Sequence, residues 1–172
     1  MANGRERIEY KNRILQKLLS HKDLCQLILN DYIDDITDSD VQNEVKKHIK
    51  RYWFVPYTQE NMGTFIAFDL AAKAEGQGTV NKKTGLGFYL FTHVDLMDVN
   101  FTNGNTPQEY KSGIRTDLMN TYIQETFNEN FDFGLGKLKL IRENPKQINS
   151  VYYGLELYFE VPDSSSDNDD GI

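Results

Sequence analysis

Between residues 151 and 161 the chain alternates almost without interruption. Val151, Tyr153, Leu155, Leu157, Phe159 and Val161 project one way, and Tyr152, Glu156, Tyr158 and Glu160 the other, because successive side chains of a strand leave opposite faces. A one-residue slip would turn the whole apolar row into water, so this segment fixes a sheet with one buried face. The same period recurs at Ile66, Phe68, Leu70, Ala72 and Ala74, and again at Leu86, Phe88, Leu90, Thr92 and Val94. These two runs predict an antiparallel pair joined by a long Gly- and Lys-bearing loop over 75–85. A fourth strand is expected over 135–141, followed by a turn at Asn144-Pro145.

The first third of the chain has a different period. Ile8, Ile14, Leu15, Leu18 and Leu19 recur at helical spacing, with Arg7, Lys11, Arg13 and Lys17 on the remaining surface. Capping-box spacing at Ser20–Asp23 and again at Thr37–Asp40 predicts two further helices, the third ending near Trp53-Phe-Val-Pro56. Thr106-Pro107-Gln108-Glu109 supplies a cap, a proline at the first helical position and the paired acid. A long helix is therefore expected from there through Tyr110, Ile114, Leu118, Tyr122 and Phe127. The whole reads as one α+β domain over 1–161: a helical start over 5–52, then a mostly antiparallel sheet of about four strands packed with one long helix over 57–161. Residues 162–172 read as an acidic, flexible tail.

Composition limits function. With 172 residues and 39% hydrophobic content including ten Phe and ten Tyr, the chain has apolar surface enough for one core. No apolar run approaches the length of a bilayer span, and the charged start is unlike a signal peptide, so a soluble, unexported protein is expected. The net charge is −7, of which Asp163, Asp167, Asp169 and Asp170 in the tail contribute −4, leaving −3 for the body. That sign opposes tight binding to phosphate backbones.

Catalytic and metal motifs are weak. Cys25 is the only cysteine and sits in an apolar helical pattern, which fits a packing thiol. His21, His48 and His93 fall on separate elements, and His93-Val-Asp95 merely places two residues on one face of a strand. Asp34, Asp35, Asp38 and Asp40 lack the glycine and the bidentate glutamate of a calcium loop. The pairs Gly76-x-Gly78, Gly85-x-Gly87 and Gly134-x-Gly136 lack the third glycine of a dinucleotide fingerprint. No enzyme, cofactor or metal is expected. Contact with other subunits is a better use of the unusual residues: Arg115 and Asp117 as a polar pair at a subunit boundary, and Tyr152 and Tyr158 on the polar face of the last strand, since tyrosine is favoured where a surface is buried by a partner.

The order of elements, with Arg115-Thr-Asp-Leu-Met-Asn120, Phe133-Gly-Leu-Gly-Lys-Leu-Lys-Leu140 and Tyr152-Tyr-Gly-Leu-Glu-Leu-Tyr-Phe159, resembles the neck proteins of tailed bacteriophages, closest to the tail-terminator and tail-completion group. The resemblance covers about residues 5–161. It implies a virion protein assembled in the host bacterial cytoplasm, forming a ring, usually a hexamer. Such a ring caps the tail tube protein and meets the head connector or head-completion protein, with genomic DNA only as passing cargo and no membrane. The 75–85 loop, with Lys82 and Lys83, would then be a candidate to reach a neighbour or the adjoining ring. The longer helical start and the acidic tail depart from the shortest members of that group. A head-completion or other connector protein, a non-viral monomeric protein-binding module and an enzyme with a dispersed site are the competing readings.

Overall fold

A computed structural model describes residues 4–53, 62–74, 82–100, 112–131 and 136–161. Three helices open it: α1 (Gly4–Leu19), α2 (Lys22–Leu29) and α3 (Ser39–His48). The last continues into a two-residue strand, β1 (Ile49–Lys50). Then come β2 (Thr64–Ala74), β3 (Lys82–His93), a 3-10 turn (Val94–Leu96), β4 (Asp98–Asn100), β5 (Ser112–Ile114), α4 (Arg115–Phe127), β6 (Lys139–Gln147) and β7 (Tyr152–Glu160). The class is α+β.

The main sheet runs β1-β2-β3-β7-β6, antiparallel except for β1, which is parallel to β2. Its register follows the alternation. Phe68 lies opposite Phe88 and Phe88 opposite Leu157, while Leu86 meets both Leu70 and Phe159. All project to the helix side, where Ile14, Leu18, Leu24, Ile28 and Val45 of the first three helices and Met119, Ile123 and Phe127 of α4 bury them in one continuous cluster. Phe88 is the hub, its ring centroid 4.8 Å from Phe127 and 5.9 Å from both Phe68 and Phe159.

Local chemistry explains the helix ends. The His21 Nδ1 accepts from the Leu24 N–H at 3.3 Å and caps α2. Asn30 ends that helix in the left-handed region, which asparagine tolerates. Asp38 caps α3 by accepting from Asp40 N and Val41 N.

Four expectations need correction. The chain after α3 does not continue as helix toward Trp53 but leaves His48 as β1, which brings the expected sheet of about four strands to five. A two-stranded β4–β5 ladder stands apart from the main sheet. The helix expected from Thr106 begins only at Arg115: Thr106–Glu109 lies outside the described residues, and Ser112–Ile114 pairs with β4. Gly113, at a positive φ of 152°, breaks any helix there. The supposed turn at Asn144-Pro145 is mid-strand. β6 is the sheet edge, where a proline's missing N–H is harmless, and the real turn follows at 148–151, held by Asn149 Oδ1 accepting from Val151 N and Tyr152 N. Finally, Lys82 and Lys83 belong to β3, opposite Ala74 and Lys73, so the connection between β2 and β3 is shorter than the 75–85 loop; residues 75–81 lie outside the described residues.

Candidate functional site: the sheet face away from the helices

The face turned away from the helices is the other half of each alternating strand. Three rows cross it from β2 to β6: Phe65, Phe91, Gly154 and Lys146; then Ala67, Tyr89, Glu156 and Asn144; then Asp69, Gly87, Tyr158 and Arg142. Trp53, 45% exposed, leans onto the second row with its ring centroid 4.0 Å from Tyr89, edge to face. Lys146 Nζ stands 4.8 Å above the Trp53 ring and 5.6 Å above Tyr89, and Arg142 sits 5.8 Å from the Tyr158 ring. These are cation–π distances. Aromatic rings, guanidinium and ammonium groups are thus interleaved on one surface.

Two glycines make the packing possible. A Cβ on Gly85 would lie 2.1 Å from the Tyr158 hydroxyl, so that ring lies flat across the neighbouring strand. A Cβ on Gly154 would meet the Leu90 carbonyl oxygen at 2.1 Å and Phe91 at 2.8 Å. Burial raises the Tyr89 phenol above its ordinary pKa, and Glu156, to which it hydrogen-bonds, raises it further. Tyr158 is raised the same way, by burial and then by Glu160. Both remain neutral hydroxyls, each committed to a carboxylate.

One end of this face is closed by the chain itself. Ala67, Phe91 and Tyr152 form a small second core with Phe65, Tyr89, Ile148 and Val151 against them. Tyr152, expected to face a partner, is 1% exposed under the 148–151 turn, with His93 edge-on at 5.4 Å. Arg115 is also 1% exposed. Its Nε donates to Leu96 O at 2.6 Å, and its two terminal nitrogens donate to Leu27 O and Asn30 Oδ1. It therefore ties α4 to the end of α2 and to the 3-10 turn within the chain; burial lowers its pKa to about 10. Asp117 lies exposed on the next turn of surface. Of the candidate contact residues, only Tyr158 belongs to the open part of this face. Asp117 points elsewhere, and the side chains of Lys82 and Lys83 are not described.

The residues that sequence reasoning missed are Trp53, Tyr89, Arg142 and Lys146. The signal for Tyr89 was available, since the alternation that buries Phe88 and Leu90 sets Tyr89 and Phe91 on the opposite face. Nothing local marks Trp53, which arrives from a segment that follows β1.

Each histidine has a structural partner. His21 caps α2 and touches Tyr122, His48 Nδ1 lies 3.0 Å from Thr64 O and stacks on Phe65, and His93 Nδ1 accepts from Asp95 N. Burial pushes the Cys25 thiol up to about 12. Among the described residues no group of three or more His, Cys, Asp or Glu could hold a metal, and no helix is long and apolar enough to cross a membrane.

The YomW family model matches residues 21–161, from the start of α2 to the end of the sheet. The chain belongs to the YomW family. The name is of the Bacillus phage SPBc2 type, which points to a phage-derived protein. No curated protein and no solved structure matches the chain. In this YomW-family chain the match spans both the helix-covered core and the aromatic face.

Proposed function

We propose that this YomW-family chain is a non-catalytic structural subunit of a tailed-phage neck, forming a ring, six-fold by resemblance, that ends the tail tube and joins it to the head connector. The observation that carries this reading is the sheet face bearing Trp53, Tyr89, Tyr158, Arg142 and Lys146, which no described helix covers. Aromatic residues and arginine are enriched where surfaces are buried by a partner, and they supply most of the energy there. In a ring each subunit would offer this face, or its rim, to a different surface of the next copy, a heterologous contact that closes by rotation. The acidic net charge suits a wall past which DNA moves without sticking. Residence in the virion, a tail tube protein and a head connector or head-completion protein as neighbours, and the absence of a cofactor all belong to this proposal.

Light scattering after size exclusion is the direct test. The wild-type chain is expected to populate a closed oligomer at high concentration, and Trp53→Ala with Lys146→Glu to shift it to monomer while circular dichroism stays unchanged. A monomer at every concentration, with or without tail tubes, would favour a binding module. Particles made without this protein then fix the level. Overlong tails indicate termination, finished tails beside full heads indicate a joining role, and normal infectious particles refute both.

A further inference from the structure

A second surface lies at the opposite edge of the sheet, where α1 passes β1. Ile8, Lys11, Ile49, Lys50, Arg51 and Tyr52 line a groove of about 530 Å³. Ile8 is 62% exposed and Tyr52 57%, so its walls pair open apolar surface with cations. Those cations are already oriented. Lys11 Nζ bonds Arg51 O at 2.6 Å and Asp69 Oδ1 at 2.7 Å, and Arg51 donates to Asn12 Oδ1 at 2.6 Å. A lysine has three donors and an arginine five, so both groups keep donors to spare. Asp69, the acid that Lys11 meets, is also engaged by Arg7.

The surroundings add to the field. α1 carries Arg5, Arg7, Lys11, Arg13 and Lys17 against Glu6 and Glu9, and residues 46–51 contribute Lys46, Lys50 and Arg51, while Lys47 is paired with Glu44. This corner is basic in a chain whose net charge is −7. The complementary segment is in the same sequence: 163–170 holds Asp163, Asp167, Asp169 and Asp170, no base, and is followed by Gly171 and Ile172.

We propose that this groove is the docking site for the chain's own acidic segment, with the aspartates on Lys11, Lys50 and Arg51 and the apolar walls taking Ile172. Reach allows the segment to dock on its own chain. Glu160 aligns through Gly85 with Ala71, and Lys50 aligns with Ala67. Three strand spacings of about 4.8 Å sideways and about four residues along the strand give roughly 20 Å. Six extended residues from Val161 to Asp167 also span about 20 Å, and nine to Asp170 about 30 Å. A flexible segment of nine residues has an r.m.s. length of about 15–18 Å, close to that span, where the effective concentration of a tether is greatest, so a weak, screened contact suffices within one chain. The docked segment would mask a basic corner that could otherwise collect nucleic acid. The inference is independent of the ring, because it concerns a different edge of the sheet.

The test uses the full chain with a nitroxide on Ser165→Cys; Cys25, fully buried with its thiol protonated, escapes the label. Amide signals of residues 8–12 and 49–52 are expected to lose intensity severalfold relative to those of β6. The loss should vanish near 1 M salt, where the screening length is about 3 Å, and in a variant with all four aspartates changed to asparagine. No broadening at the groove overturns the proposal. Broadening of a nitrogen-15 chain by an admixed, separately labelled chain overturns it in favour of a second copy. An asparagine variant that binds a short DNA duplex at low salt no more tightly than the wild type overturns the masking role.

Discussion

At the scale of single residues, Arg115 is a charged side chain that the fold buries almost completely. It carries a charge into a site with 1% exposure and meets three acceptors from two other elements. Arg115→Ala would leave buried carbonyls without donors, at about 1–3 kcal/mol each. A loss on the order of 3 kcal/mol or more in urea unfolding is expected, and Arg115→Lys should restore less than half of it, because a point charge cannot serve three directions. His21 gives a pH dependence. Burial lowers its pKa despite Asp23 and Glu125, which raise it, and Lys17 lowers it slightly further. A base with a depressed folded pKa contributes stability that is complete above its unfolded value and lost as pH falls through that value toward the folded one. Wild type should therefore weaken as pH drops below about 6.5. His21→Asn, a cap that does not titrate, should flatten that part of the stability curve, and an unchanged slope would discount the cap.

At the scale of elements, the glycines of the sheet make two different predictions. Gly154 lies on β7 between β3 and β6, and a Cβ there strikes backbone at the Leu90 carbonyl. Gly154→Ala should cost about 3 kcal/mol or more in chemical denaturation, since overpacking against main chain cannot relax by rotating a side chain. Gly85→Ala strikes only the far end of Tyr158. It should cost much less stability but displace the Tyr158 ring, visible as altered tyrosine ring shifts and weakened assembly. Elements whose own period was strong were legible beforehand: α1, α2, β2, β3 and β7 follow from where Leu, Ile and Phe recur. β1 was not legible, since two residues carry no period, nor was β5, where the Thr106 cap suggested helix and Gly113 decided against it. β6 was displaced in the reading because Pro145 signals a turn unless the strand is known to be an edge, a fact that belongs to the sheet and not to the segment.

For the molecule as a whole, a one-sided sheet divides the work of its residues. The helix-covered face holds the core, and the reverse face, with Lys146 over Trp53 and Tyr89, is covered by none of the described helices. The existence of such a face could be read from alternating tyrosines. Which tyrosine lies open could not, because the 148–151 turn that closes over Tyr152 is set by Asn149 and by the true end of β6. Burial of Arg115 was equally hidden, since its acceptors lie 19, 85 and 88 residues earlier in the chain.

The brevity of β1 has a last consequence. It pairs only with Ile66 and Ala67, so among the described residues no strand lies beside the outer edge of β2 beyond them; there Arg7 donates to Leu70 O at 2.6 Å. An unpaired strand is a template on which other extended chains can grow, and a charge laid across it is a common safeguard. Here the safeguard is one guanidinium on a neighbouring helix. Arg7→Ala should barely move the unfolding midpoint yet speed fibril or amorphous growth at elevated protein concentration, followed by thioflavin fluorescence and turbidity. The same latch, if lifted deliberately by a partner offering its own strand, would turn a hazard into a seam.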